Sequence, residues 1–86
     1  MSRTYEVVFK RSAERELRNL PRVELPRIVK TIEALRTNPR PPGSAKLKGQ
    51  EAYRVRQGDY RVLYTIDDTE RVVEIIKIGH RSEVYR

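Results

Sequence analysis

Glu51-Ala-Tyr-Arg-Val-Arg-Gln-Gly-Asp-Tyr-Arg-Val-Leu-Tyr64 reads as a β-hairpin, and the rest of the chain can be arranged around it. Tyr53 to Arg56 and Tyr60 to Ile66 are β-rich runs, and Gly58-Asp59 between them is a Gly-X pair suited to a two-residue type II′ turn. That turn fixes the register. Arg56 faces Arg61, Val55 faces Val62, Arg54 faces Leu63 and Tyr53 faces Tyr64. Side chains alternate along a strand, so Arg54, Arg56 and Arg61 share one face while Tyr53, Val55, Tyr60, Val62 and Tyr64 share the other. The tyrosines are therefore expected at the core or its edge.

Like charges opposed across a strand pair are unfavourable by a few tenths of a kcal/mol to about 1 kcal/mol. Two readings of the arginine face follow. It is a site kept for an anion, with guanidinium forks matched to phosphate and nucleic acid the first candidate; or it is the solvated outer face of a sheet. The hairpin alone leaves both open.

Composition narrows the partners. Eighty-six residues suit one domain, spanning 1–86, with a small core. Nineteen Lys and Arg against twelve Asp and Glu give a net charge of +7, which favours polyanionic partners. The excess does not locate the site by itself, because residues 1–43 carry ten basic against five acidic side chains and residues 44–86 nine against seven. No cysteine is present, so disulfides, thiolate chemistry and Cys-zinc sites are excluded. Met1-Ser-Arg-Thr-Tyr-Glu before Val7-Val8-Phe9 is too short and charged for a signal peptide, and no apolar run reaches transmembrane length. The expected location is the cytoplasm, and no apolar basic helix argues for a membrane surface.

Taken in order, Tyr5 to Phe9 is a first strand. Ser12 is a candidate N-cap for an amphipathic helix carrying Ala13, Leu17 and Leu20 and ending before Pro21. Leu25, Ile28, Val29, Ile32 and Leu35 recur at three and four residues and define a second helix, with Pro26 in its first turn and Asn38-Pro39 at its end. The short connection predicts a helical hairpin. Arg40 to Ser44 is a loop, and Ala45 to Gly49 leads to the hairpin with Lys46 and Lys48, which could extend a phosphate track or simply be solvated. Asp67 to Glu70 is a turn, and Arg71 to Ile78 is nearly continuous apolar sequence, as expected of a central strand covered on both sides. A charged tail, Gly79 to Arg86, follows. The order β-α-α-β-β-β predicts an α+β domain: a helical hairpin on a mostly antiparallel four-stranded sheet.

Several motifs together resemble the RelE/ParE superfamily of bacterial and archaeal toxins. They are Phe9-Lys10-Arg11-Ser12-Ala13 with Leu17 and Leu20-Pro21, Leu47-Lys48-Gly49, the hairpin, Ile78-Gly79-His80-Arg81, and Val84-Tyr85-Arg86. The resemblance spans essentially the whole chain and is nearest to the RelE branch. It implies a cytoplasmic endoribonuclease that cuts messenger RNA on the ribosome without metal or cofactor, and a co-encoded, RelB-like antitoxin that covers the arginine face in a hetero-oligomer. It also implies a catalytic set of Arg54, Arg56, Arg61, Arg81 and Tyr85. Arg54 and Arg56 stand where well-known RelE toxins have lysines. A guanidinium is a poor proton acceptor, so His80, the only histidine, joins Tyr85 as a candidate for proton transfer. The same fold serves ParE-like toxins that poison DNA gyrase, and a catalytically inactive RNA-binding member is a third possibility.

Overall fold

The structure, a computed structural model, describes residues 4–83. Its elements are β1 (Glu6–Phe9), α1 (Arg11–Arg18), α2 (Glu24–Ala34), β2 (Ala45–Lys46), β3 (Tyr53–Gln57), β4 (Tyr60–Asp67) and β5 (Val72–His80). They form an α+β fold in which two helices pack on one five-stranded sheet of order β1-β5-β4-β3-β2. β1 runs parallel to β5, and every other pair is antiparallel.

The hairpin register is the expected one: Tyr53 opposes Tyr64, Arg54 opposes Leu63, Val55 opposes Val62 and Arg56 opposes Arg61. Gly58 has φ +60°, and Arg71 is the only non-glycine with positive φ among the described residues, so the two-residue turn takes the type II′ form. The fifth strand was not anticipated. Ala45 and Lys46 pair with Arg54 and Tyr53, and the Leu47 amide donates to the Ala52 carbonyl. Two residues are too few for alternation to register as a strand in sequence.

The helices cover one face of the sheet. Ala13 of α1 and Ile28, Ile32 and Leu35 from the second helix and its C-terminus are buried against Val55, Val62, Tyr64, Val73, Ile75 and Ile78. Tyr5, Val7, Phe9, Leu17, Leu20, Tyr53, Tyr60 and Ile66 close the margins of that core. β5 lies between β1 and β4, β4 being the central strand, and it is covered on one face and not two: Val73, Ile75 and Ile78 are buried while Glu74 is exposed.

Ser12 does not cap α1. The Lys10 amide still bonds the Ile75 carbonyl in the strand ladder, and the Lys10 carbonyl already accepts from the Glu14 amide. Strand therefore passes into helix without a capping turn, and Ser12 falls inside the helix. Beyond the end of β1 the flank of β5 has no neighbouring strand among the described residues. Glu16 of α1 fills that role, its Oε1 accepting from the Ile78 amide at 2.9 Å.

Candidate nucleic-acid interface

The sheet face opposite the helices carries the basic side chains. In register, one row across it holds Arg56, Arg61 and Gly79, and the next holds Arg54, Leu63 and Lys77. Arg56 is exposed; Arg54, Arg61 and Lys77 are half-buried. No hydrogen bond or ion pair among the described residues engages the charged ends of Arg54, Arg56 or Lys77. Arg61 turns toward the hairpin tip, its Nη1 donating to the Tyr60 carbonyl at 3.1 Å and the Gly58 carbonyl at 3.4 Å. Arg81 is fastened beside the same tip: its amide donates to the Asp59 carbonyl at 2.8 Å, and its Nε lies 3.9 Å from Asp59 Oδ1. Four arginines thus gather at the hairpin end of the face. Apart from Asp59 at the tip, its carboxylates, Glu74 and Glu6 by register, lie toward the other end with Asp67.

Lys77 was not expected in this group. Strict alternation along Val73, Ile75 and Lys77 would place all three on one face. The ladder between β4 and β5 breaks register instead: Leu63 pairs with Lys77 while Tyr64 pairs with Ile75, leaving Ile76 as the extra residue of a bulge. Ile75 stays in the core, and Lys77 turns to the arginines. The signal in the sequence was the conflict itself, a lysine two positions after a core isoleucine.

Two expected site residues lie elsewhere. His80 pairs with Tyr60 and packs edge-to-face on its ring, centroids 5.6 Å apart, on the helix-bearing side. Its Nδ1 accepts from the Ser82 amide at 3.2 Å and lies 2.9 Å from the Ser82 hydroxyl. The structure therefore does not bring His80 among the guanidiniums. Lys46 pairs with Tyr53, again on the side away from the arginines, and its Nζ lies 3.4 Å from Glu51. Lys48 is exposed in the loop between β2 and β3. Tyr85 lies outside the described residues.

A second polar cluster occupies the opposite end of the sheet. Arg40 grips Asp68 with two nitrogens, at 2.9 and 3.2 Å, while its Nε donates to the Tyr53 hydroxyl and its guanidinium lies 5.2 Å from the Tyr53 ring centre. Tyr5 donates to Asp68 at 2.7 Å. The Arg40 guanidinium and the Tyr5 hydroxyl hold the Asp68 carboxyl down at a pKa of about 2, and the bond to Asp68 pushes the Tyr5 phenol up. Buried Tyr64 donates to the Pro39 carbonyl at 2.6 Å. These contacts pin the loop after α2; they form no cationic surface. Among the described residues no cluster of His, Cys, Asp and Glu could hold a metal ion, and no helix is long and apolar enough to cross a membrane.

The fold, two helices on one side of a small sheet, is shared with solved RelE toxins. Residues 7–85 match the family described as the ParE toxin of type II toxin-antitoxin systems, parDE. The chain belongs to that family, within the RelE/ParE superfamily. It is 38% identical to toxin RelE of Mycobacterium tuberculosis over 95% of this chain and 87% of the relative, and 35% identical to toxin RelG of the same organism over 95% and 97%. Among solved structures it resembles the archaeal RelE-RelB complex from Pyrococcus horikoshii, with a TM-score of 0.81 and 30% identity over 94% of this chain and 99% of that one. The intact RelBE toxin-antitoxin complex of E. coli gives a TM-score of 0.78 and 26% identity, covering 88% and 95%.

Proposed function

We propose that this protein is the toxin of a toxin-antitoxin pair and cleaves messenger RNA in the cytoplasm, on the ribosome, by an internal attack that needs no metal or cofactor. In that reaction the ribose 2′-oxygen bonds to the adjacent phosphorus and the bond from phosphorus to the next 5′-oxygen breaks. The products are a 2′,3′-cyclic phosphate and a free 5′-hydroxyl. One proton leaves the 2′-hydroxyl and one reaches the 5′-oxygen. The observation that carries this reading is the grouping of Arg54, Arg56, Arg61 and Arg81 at one end of an open face, with the guanidiniums of Arg54 and Arg56 unengaged among the described residues. Fixed guanidiniums stabilise the charge that builds on a pentavalent phosphorus. They do not take protons. Proton transfer is assigned to Tyr85, four positions after Arg81. Lys48 is an outer phosphate contact.

The partner is an antitoxin, RelB-like by analogy with the complexes of similar fold, whose acidic or amphipathic helix covers the arginine face. A second reading is favoured by the description of the matched family, which names parDE: a gyrase poison without nuclease activity.

Primer extension on a reporter messenger RNA after brief induction distinguishes them. Cuts in phase with codons, dependent on translation and lost in Arg61→Ala and Tyr85→Ala, support the nuclease. Growth arrest without cuts, together with inhibition of DNA supercoiling by the purified protein, supports the gyrase reading instead.

A further inference from the structure

Lys77 is the one cation of the open face that β5 itself supplies, and only the bulge at Ile76 puts it there. Three observations bear on its purpose. Its Nζ has no hydrogen bond or ion pair among the described residues. It is half-buried, with Arg54 across Leu63 in the same row, Arg61 one row on toward the hairpin and Glu74 one row the other way on its own strand. On the hairpin side the grouped like charges raise the free energy of the empty site unless an anion is to be received. Leu63, finally, is only 7% exposed although it lies on the face without helices. Its neighbours in the row are Arg54 and Lys77, two strand spacings or about 10 Å apart at the backbone. Their aliphatic stems are long enough to lie along Leu63 and shelter it. A stem packed in this way loses less freedom when its charged head binds a ligand.

We infer that Lys77 is a phosphate-binding residue of this face, taking a backbone phosphate of single-stranded RNA beside the one held by Arg54, with Leu63 positioning both stems. This rests on the RNA reading above and adds a contact to it. The bulge therefore widens the cationic site from two strands to three. An ammonium suits the role of a point charge at a flanking phosphate, whereas the guanidinium forks of Arg56 and Arg61 suit the reacting one.

The test is binding of the full-length protein to a short single-stranded RNA, 2′-O-methylated so that it cannot be cut, over a range of salt concentrations. Loss of one phosphate contact should reduce the slope of log affinity against log salt by about 0.7 for a single strand. Lys77→Gln is expected to show that reduction and Lys77→Arg to restore the slope. Leu63→Ala should weaken binding with the slope unchanged, since no charge is removed. Lys77→Gln with the slope and affinity of the parent overturns the inference. If Arg54→Gln still lowers the slope in that case, the RNA reading survives and only Lys77 is misassigned; if it also has no effect, the RNA reading falls too. A Lys77→Gln effect on binding of polyglutamate but not of RNA likewise overturns the assignment, in favour of an acidic polypeptide.

Discussion

Arg56 and Arg61 oppose each other across the hairpin at an electrostatic cost, and no carboxylate among the described residues pairs with either. If their task is to stabilise a phosphorane-like charge, truncation should affect the rate far more than the fold. Arg61→Ala is expected to lower the single-turnover rate of RNA cleavage on programmed ribosomes by roughly 10²- to 10³-fold, in the range seen when one oxyanion donor is removed. Its urea midpoint should stay near that of the parent, because among the described residues the side chain of Arg61 bonds only carbonyls at the hairpin tip. Tyr64→Phe should behave in the opposite way. Its hydroxyl is buried and donates to the Pro39 carbonyl, so the variant leaves an acceptor without its donor. A loss of about 1–2 kcal/mol in chemical denaturation is expected, with cleavage at saturating ribosome unchanged.

Elements were legible in the sequence to the extent that their periodicity was unbroken. The hairpin register could be read pair by pair, because Gly58-Asp59 permits one tight turn and a slip of one residue would have buried three arginines. The apolar stripe of Ile28, Ile32 and Leu35 likewise led to a helix packed on the sheet. Legibility failed where a local rule met a tertiary one. Ser12 looked like a cap, but the strand ladder reaches Lys10 and leaves no room for one. β2 was too short to show alternation. In β5 the bulge at Ile76 changes the parity of everything after it, which placed Lys77 on the arginine face and His80 on the other. The support that α1 gives β5 was also invisible, since Glu16 in sequence is one more charge on an amphipathic helix. Glu16→Ala should leave the half-buried Ile78 amide without a partner and cost about 1–2 kcal/mol. Amide exchange at Ile78 should accelerate more than at Val62, and failure to see that difference would mean that water replaces the carboxylate.

At the scale of the molecule, stability and charge answer to different ends of the sheet. The Asp68 carboxyl titrates at about 2 in the folded protein against a reference value of 3.8. The unfolded chain therefore takes up this proton first, so the contribution of Asp68 to stability is complete above the reference value. It disappears as pH falls through about 2. Thermal unfolding followed from neutral to strongly acid pH should show this acid limb in the parent and a shallower one in Asp68→Asn, which cannot take up that proton. Tyr5 has the reverse sign: its raised pKa gives a contribution present below 10.0 and lost on titration above it. Neither group lies among the arginines of the open face, so both pH effects should leave the salt dependence of RNA binding untouched.

The open face has its arginines at the hairpin end and Glu6, Asp67 and Glu74 toward the other. Such a separation makes this face of the +7 protein dipolar as well as cationic. In the field of a polyanion a dipole experiences a torque before any atom touches. The protein would swing its hairpin tip forward during approach, so that a larger share of encounters begins in a productive orientation. Reversing charge at Glu74 would blunt this rotation while adding to the net attraction, separating how strongly the molecule is drawn in from which way round it arrives.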